Sequence, residues 1–550
     1  MKKEISKTQT LQEGAYILLI TALITKIIGA VFKIPLSSDN CLGDLGFGYF
    51  SASYDLLTPI TTLALSGFPL AVSHYIALYV SQKKYDSIGQ VLKVSKRFLG
   101  LVSIIGFIVV TLLIYPFVSL TDVTGKAIYG LIAILPSILF CGALSYLRGY
   151  FQGFLNMKPC AVSSLIEALC KLLLGYFFAF FVMKYTLNAA LSAAAALFGI
   201  TLGLAVATLY IYLKYKKHKG SLNLNLNVSL IEDNSALKRG IAVLSITFAI
   251  SSLATSIVSF CDTLTVRTIL SEKINSSPEF FRLEFASLLE KEGLEKLPTV
   301  LYGIRGKAFA FFNIVASLCM AIGVSVVPNI SDTNADKTQI FKKINTALRI
   351  TAFVSFPASF GFLLLGKRIM SLVFGEGMSA DVGGRMLSIY GIAALFAGFA
   401  IVFGNILQSR KRHKSYFIAI AIATVVKMVL NILLTNIIRL NIYASAISSV
   451  VFFFTIFVIS LSIFLKSEGK SSLKGVFLKP FIAGFICCLF AYLIANTSNK
   501  NFVLVLAIGF AVIIYFLLLL FSKFFKREDF IAIPFGKKII GALKISRFLG

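Results

Sequence analysis

The chain has 550 residues, of which 57% are hydrophobic and only 14% charged, with a formal net charge of +29; its mean hydropathy is +0.87. Ordinary soluble proteins carry about 25% charged residues, and a globule of this size exposes too much surface to hide so much apolar side chain. A soluble protein is therefore excluded, lipid is the expected solvent, and the positive charge reads as an orientation signal before it reads as a nucleic-acid partner.

Apolar runs long enough to cross a bilayer recur from end to end. In chain order they fall near 12–36, 47–80, 98–118, 127–149, 159–183, 188–212, 240–266, 304–328, 350–366, 386–408, 416–436, 441–465, 476–496 and 501–522, fourteen in all. They lack strict alternation and exceed ten residues, so helices rather than strands are expected. The first run carries Lys26 and Lys33 and is too long for a cleaved signal peptide. Asn436, Arg439 and Asn441 mark a tight turn between two of the last spans. With the N terminus taken as cytoplasmic, inside segments hold 35 Lys and Arg and outside segments 14, half of the latter in one long loop, 267–307. That bias predicts a multi-pass plasma-membrane protein with both termini inside.

Two regions repeat. At an offset of 256, Gln152, Lys158 and Lys171 meet Gln408, Lys414 and Lys427; at 258, Gly48, Ala52, Tyr54 and Asp55 meet Gly306, Ala310, Phe312 and Asn313. Duplication of a six-span unit is expected, with both copies entering the membrane in the same direction. The fold class is then all-α and polytopic: two six-helix parallel-repeat lobes and two C-terminal helices. The predicted domains are a lobe at 1–213, a cytoplasmic linker at 214–239, a second lobe at 240–466, helices thirteen and fourteen at 467–525 and a basic cytoplasmic tail at 526–550. The second lobe includes an outer amphipathic loop, 271–303, where Ser277-Pro278-Glu279 is a helix start and Phe281, Phe285 and Leu288 form an apolar face. The tail pairs Lys537, Lys538, Lys544 and Arg547 with Ile539, Ile540, Leu543 and Phe548, as a helix on the inner leaflet against anionic lipids would.

Charges inside the spans are the most informative residues, because each costs about 2.5–3.5 kcal/mol at mid-bilayer unless it meets water or a partner. Lys26 and Lys33 lie two turns apart on one face of the first span, with Gly29 between them for close approach. Asp55 follows in span two, near Pro59 and three threonines; it pairs with a first-span lysine, lines the substrate cavity, or does both. Glu167 and Lys171 stand four apart, which suits an ion pair as well as a cavity. Lys427, at the repeat-equivalent place, has no such acid and is assigned to the cavity. Span seven carries Ser252, Ser256, Ser259 and Thr263 with Asp262, a hydroxyl stripe for a wet cavity or for packing. Arg305 and Lys307 read as interfacial anchors, with Arg305 also able to reach inward. Arg148 and Gln152 close span four as anchors or as gating residues. The candidate substrate-binding set is Lys26, Lys33, Asp55, Lys171, Lys427, Arg305 and Asp262, and the inner-face set is Arg148, Gln152 and Glu167. A net cationic interior attracts an anionic headgroup such as a lipid-linked pyrophosphate, held by lysines as point charges and by arginine as a fork.

Enzymatic motifs are missing: there is no Walker A sequence, HExxH or GxSxG. The eight Cys form no CxxC pair and mostly sit in apolar runs, so neither a zinc site nor a disulfide framework is indicated. No metal, cofactor or nucleic-acid partner is expected. Energy coupling to the membrane potential or to a monovalent cation stays open.

Several stretches resemble the branch of the MOP flippases that holds stage V sporulation protein B and the MurJ-type proteins. They are Lys26-Ile-Ile-Gly-Ala-Val-Phe-Lys33-Ile-Pro35, Gly48-Tyr49-Phe50 through Tyr54, Gly67-Phe68-Pro69-Leu70-Ala71-Val72-Ser73 and Arg148-Gly149-Tyr150-Phe151-Gln152-Gly153. Leu301-Tyr302-Gly303, Phe312-Asn313, Val327-Pro328-Asn329-Ile330-Ser331, Leu407-Gln408 and Lys427 with Asn431 follow in matching order. The resemblance implies a bacterial cell-membrane flippase with fourteen helices and a lipid-tail groove on helices thirteen and fourteen. It further implies alternating access that moves an undecaprenyl-pyrophosphate-linked saccharide outward, lipid II for peptidoglycan in MurJ-like members and a spore-cortex precursor in sporulation members. The family's cationic first span maps to Lys26 and Lys33. Two rival readings stand beside it: a cation-coupled multidrug exporter of the same superfamily, which needs accessible carboxylates, and a non-transporting scaffold for wall-synthesis enzymes.

Overall fold

The computed structural model describes residues 11–82, 84–121, 125–222, 233–330, 337–410, 412–468, 474–498, 500–526 and 529. Among them there is no strand. The long helices are α1 (Leu11–Leu36), α2 (Gly43–Ser81), α3 (Tyr85–Thr121), α4 (Ala127–Gly153), α5 (Lys158–Thr186), α6 (Ala189–Leu222) and α7 (Asn234–Ser276). They continue as α8 (Leu297–Ile330), α9 (Lys337–Phe374), α10 (Met378–Ser409), α11 (His413–Thr435), α12 (Ala444–Glu468), α13 (Lys474–Ala495) and α14 (Asn501–Phe521). Thirteen spans among the described residues are long and apolar enough to cross a membrane. The remaining expected span is α1, an unbroken helix of 26 residues, about 39 Å at 1.5 Å per residue.

Local chemistry sets the breaks. The Asp233 carboxylate caps α7 by accepting from the Ser235 amide at 2.9 Å, and Asn188 caps α6 by accepting from the Ala190 amide at 3.1 Å. Leu187 ends α5 in the left-handed region, with φ of 52°. The expected turn at 436–441 is present and runs into a short 3-10 helix, Asn441–Tyr443. α2 contains Pro59 and then a π-helical segment, Leu63–Gly67. Hydroxyls patch its backbone there: Thr58 donates to the Tyr54 carbonyl at 2.6 Å, and Ser66 donates to the Thr62 carbonyl at 2.5 Å.

The chain divides into two compact units, one up to Gly306 and one from Lys307 onward, the division falling inside α8. In the first unit α2, α4, α6 and α7 bury Phe68, Val72, Ile76, Leu144, Tyr150 and Ile241 around one core. In the second unit α9, α10 and α12 bury Phe356, Phe399, Phe403 and Phe464. Large apolar side chains such as Leu112, Phe502 and Phe521 remain 72%, 70% and 65% exposed, which is stable only against lipid.

The crossing of α2 with α8 matters most for function. A Cβ at Gly48 would lie 2.0 Å from the Thr299 carbonyl oxygen, and a Cβ at Gly303 would lie 2.0 Å from that of Asp44. Only glycine allows the two backbones to approach this closely.

The loop expected on the outer side folds into two short helices, Pro278–Glu284 and Ala286–Glu292. Its apolar face is not presented to lipid: Phe281 and Phe285 stack at 6.1 Å and are buried with Leu288. Lys291 reaches Asp39, in the loop after α1, at 3.7 Å. The expected inner-leaflet tail helix lies outside the described residues, apart from its beginning. There the Asp529 carboxylate is buried in a two-pronged pair with Arg349, at 2.6 and 2.8 Å.

Candidate functional site

The embedded charges of the first unit fall into two groups with different partners. The first group is an ion cluster joining three helices. Tyr302 and Arg305 are three apart on α8 and share a face. The close α2–α8 crossing carries that face to Asp55 on α2 and Asp262 on α7. Arg305 Nη1 meets Asp55 Oδ2 at 3.0 Å, and its Nη2 meets Asp262 Oδ2 at 2.6 Å. The Tyr302 hydroxyl donates to Asp55 Oδ2 at 3.1 Å and contacts the Thr263 hydroxyl at 2.6 Å. Arg305, Asp262 and Tyr302 are fully buried. Asp55 is thus held by Arg305, and not by a first-span lysine as one sequence reading had it. Arg305 is a core residue, not an interfacial anchor. The hydroxyl stripe on α7 faces packing: Ser256 meets the Thr62 hydroxyl at 2.9 Å, and Ser259 and Thr263 are buried.

Arg148 repeats the pattern on α4. Its Nη2 pairs with Glu167 of α5 at 2.9 Å, and its Nε donates to the Ser163 hydroxyl at 3.0 Å. This pair replaces the expected Glu167–Lys171 bridge. Gln152, one turn beyond Arg148, is half-buried, and its Oε1 has no hydrogen-bond partner among the described residues.

The second group is lysines on aromatic rings. Phe47, Phe50 and Tyr54 recur along one face of α2 and stack in sequence, at 5.6 Å and then 5.7 Å between centroids. The first two rings are buried and Tyr54 is half-buried. Lys171 Nζ sits 4.6 Å from the Tyr54 centroid and 5.5 Å from that of Phe32, and donates to the Tyr54 hydroxyl at 3.3 Å. Lys33 Nζ stands 5.9 Å from the same Tyr54 centroid. Lys26 is exposed, with Lys171 and Glu167 as its charged neighbours. Among the described residues none of these three lysines forms an ion pair with a carboxylate. Gly29, expected to be a point of close approach, meets nothing within 4 Å of a built Cβ.

Residues 11–332, more than half of the chain, match the family model described as polysaccharide biosynthesis protein. The chain belongs to that family. A second model, described as lipid II flippase MurJ, matches residues 314–524. Two Bacillus subtilis (strain 168) proteins are similar over most of their length. "Uncharacterized membrane protein YabM" is 27% identical across 97% of this chain and 96% of its own, and "Lipid II flippase MurJ" is 24% identical across 77% of each. A solved structure of lipid II flippase MurJ in an inward closed conformation shares the fold, with a TM-score of 0.66, 16% identity, and coverage of 91% of this chain and 98% of the other. This polysaccharide-biosynthesis family member is therefore a multi-pass bacterial membrane protein similar in sequence and in fold to MurJ-type flippases.

One predicted site residue of this family member lies elsewhere. Lys427, on α11 in the second unit, is fully buried and donates to the Ser448 and Ser449 hydroxyls at 3.0 Å each and to the Ser445 carbonyl at 3.4 Å, all on α12. Ser448 in turn donates to Asn431 at 2.5 Å. Buried in this way, Lys427 ties α11 to α12; it matches Lys171 by the offset of 256, and its surroundings do not match. The structure also adds two residues that charge counting passed over. Tyr302 stood in the sequence only within a stretch that carries the resemblance, and Tyr54 only there and in the repeat, neither as a site residue.

Proposed function

We propose that this MOP-superfamily transporter flips an undecaprenyl-pyrophosphate-linked saccharide, lipid II in the first instance, from the inner to the outer leaflet by alternating access. The observation that carries the reading is the different partnering of arginines and lysines in the first unit. Arg305 and Arg148 are held by carboxylates, which cancel their charge and serve the fold. Lys33 and Lys171 rest against aromatic rings, and Lys26 is exposed. An aromatic face attracts an ammonium by about 0.5–2 kcal/mol and leaves its charge intact. Three ammoniums that form no ion pair among the described residues, two of them on the Tyr54 ring, are a receptor for an anion with several oxygens, and a lipid-linked diphosphate supplies one. The family match to polysaccharide biosynthesis and MurJ models supports the lipid-linked class. A cation-coupled exporter is less well supported: Asp55, Asp262 and Glu167, the carboxylates it would need, are each engaged by an arginine.

A charged cargo also makes flipping respond to membrane potential, by about 2.3 kcal/mol per charge per 100 mV. The test is complementation of a conditionally flippase-deficient bacterium, with outward exposure of lipid II measured on intact cells. K33A/K171A at normal expression is expected to lower exposure by at least about tenfold. Exposure at the parental level would overturn the headgroup assignment, and transport of an organic cation into liposomes without lipid binding would put the exporter in its place.

A further inference from the structure

Tyr54 bears on both lysines at once, and nothing about charge requires a tyrosine there. Its ring is the outermost of the Phe47–Phe50–Tyr54 stack, 9° from parallel with Phe50, so its plane is fixed from behind by two buried rings. The same ring lies 4.6 Å from Lys171 Nζ and 5.9 Å from Lys33 Nζ, and its hydroxyl accepts from Lys171. These lysines come from different helices, α5 and α1, and repel one another. A carboxylate placed between them would draw them together and cancel them. A rigid aromatic face draws both ammoniums to one point and leaves both positive.

We infer that Tyr54 is a positioning residue that converges Lys33 and Lys171 into a two-point clamp for a diphosphate, and so sets a preference for lipid diphosphates over lipid monophosphates. The inference rests on the lipid-linked headgroup reading and adds a selectivity that reading does not contain. A single phosphate engages one ammonium well; two linked phosphates engage both, so the convergence raises affinity for the diphosphate alone. The ring supplies most of this, and the hydroxyl sharpens the placement of Lys171.

The experiment uses the full-length protein in nanodiscs, with undecaprenyl diphosphate and undecaprenyl monophosphate as probes and binding read by native mass spectrometry or thermophoresis. The parent is expected to favour the diphosphate by at least about tenfold. Y54L, which keeps bulk but loses the π face, is expected to bring that ratio below about threefold by weakening diphosphate binding alone. Y54F, which keeps the face, is expected to retain most of it. Thermal unfolding of each variant in the same nanodiscs separates selectivity from misfolding, and Y54F against Y54L keeps the comparison informative if either is less stable. If the parent prefers the diphosphate and Y54L prefers it equally, Tyr54 does not position the clamp, while the headgroup reading stands. If the parent shows no preference or binds neither lipid, both fall together.

Discussion

Replacing Arg305 with methionine should be the most damaging single change in the first unit. Its guanidinium is completely buried and is shared by Asp262 at 2.6 Å and Asp55 at 3.0 Å, and Asp262 is itself fully buried. Methionine fills the space but leaves two carboxylates without their counter-charge. Removing one partner of a buried pair costs about 3–5 kcal/mol, because the other charge is stranded. R305M is expected in that range, measured as the free energy of SDS-driven unfolding in mixed micelles. The aspartates should not behave alike. D55N leaves the shorter, drier Arg305–Asp262 pair intact and should cost about 1 kcal/mol, the worth of a hydrogen bond. D262N leaves Arg305 with the longer pair and should fall between the two. The neutral triple variant R305M/D55N/D262N should recover most of the loss, since no charge is then left buried alone. An R305M protein within about 1 kcal/mol of the parent, or a triple variant no better than R305M, would refute a cluster held together by charge.

Two further predictions follow from single contacts. G303A places a Cβ 2.0 Å from the Asp44 carbonyl oxygen; it should force α8 off α2 and lower the yield of folded protein several-fold by size-exclusion chromatography, while G29A, with nothing within 4 Å, should express like the parent. K427M leaves the Ser448 and Ser449 hydroxyls without their ammonium donor; it should cost about 1–3 kcal/mol in the same SDS titration and leave undecaprenyl diphosphate affinity within about twofold, whereas a selective loss of affinity would return Lys427 to the ligand.

Span positions were legible because length and apolarity set them. The charge roles were legible only in part. Lys26, Lys33 and Lys171 were visible as charges in the wrong solvent, and they do gather in one unit. Partner choice was not readable. The i, i+4 spacing of Glu167 and Lys171 predicts a bridge along one helix, yet Arg148 from α4 takes the carboxylate. Arg148 gives one Nη to the carboxylate while Ser163 holds its Nε, and only tertiary packing brings it within reach. Arg305 looked like an anchor because it stands near the start of a span; the glycine crossing that buries it joins residues 48 and 303, too far apart for any local pattern to show. Lys427 and Lys171 match by the offset of 256, but the serines of α12 surround Lys427 and aromatic rings surround Lys171, so equivalence of position did not give equivalence of surroundings.

The π-helical turn in α2 has a mechanical side. On one side of it, α2 is fixed to α8 by the glycine crossing and by the bonds of Asp55; on the other, Phe68, Val72 and Ile76 sit in the core of the first unit. Leu63, where the segment begins, is eight residues from Asp55, about 12 Å along the axis. A bend of about 10° at that point swings Asp55 sideways by about 2 Å on this arm, enough to part a salt link of 3.0 Å. The helix is a lever whose pivot is softened by threonine and serine hydroxyls and whose far end is latched by one arginine. Any flexing of α2 during a transport cycle is therefore either limited to a few degrees or timed by the release of Asp55 from Arg305.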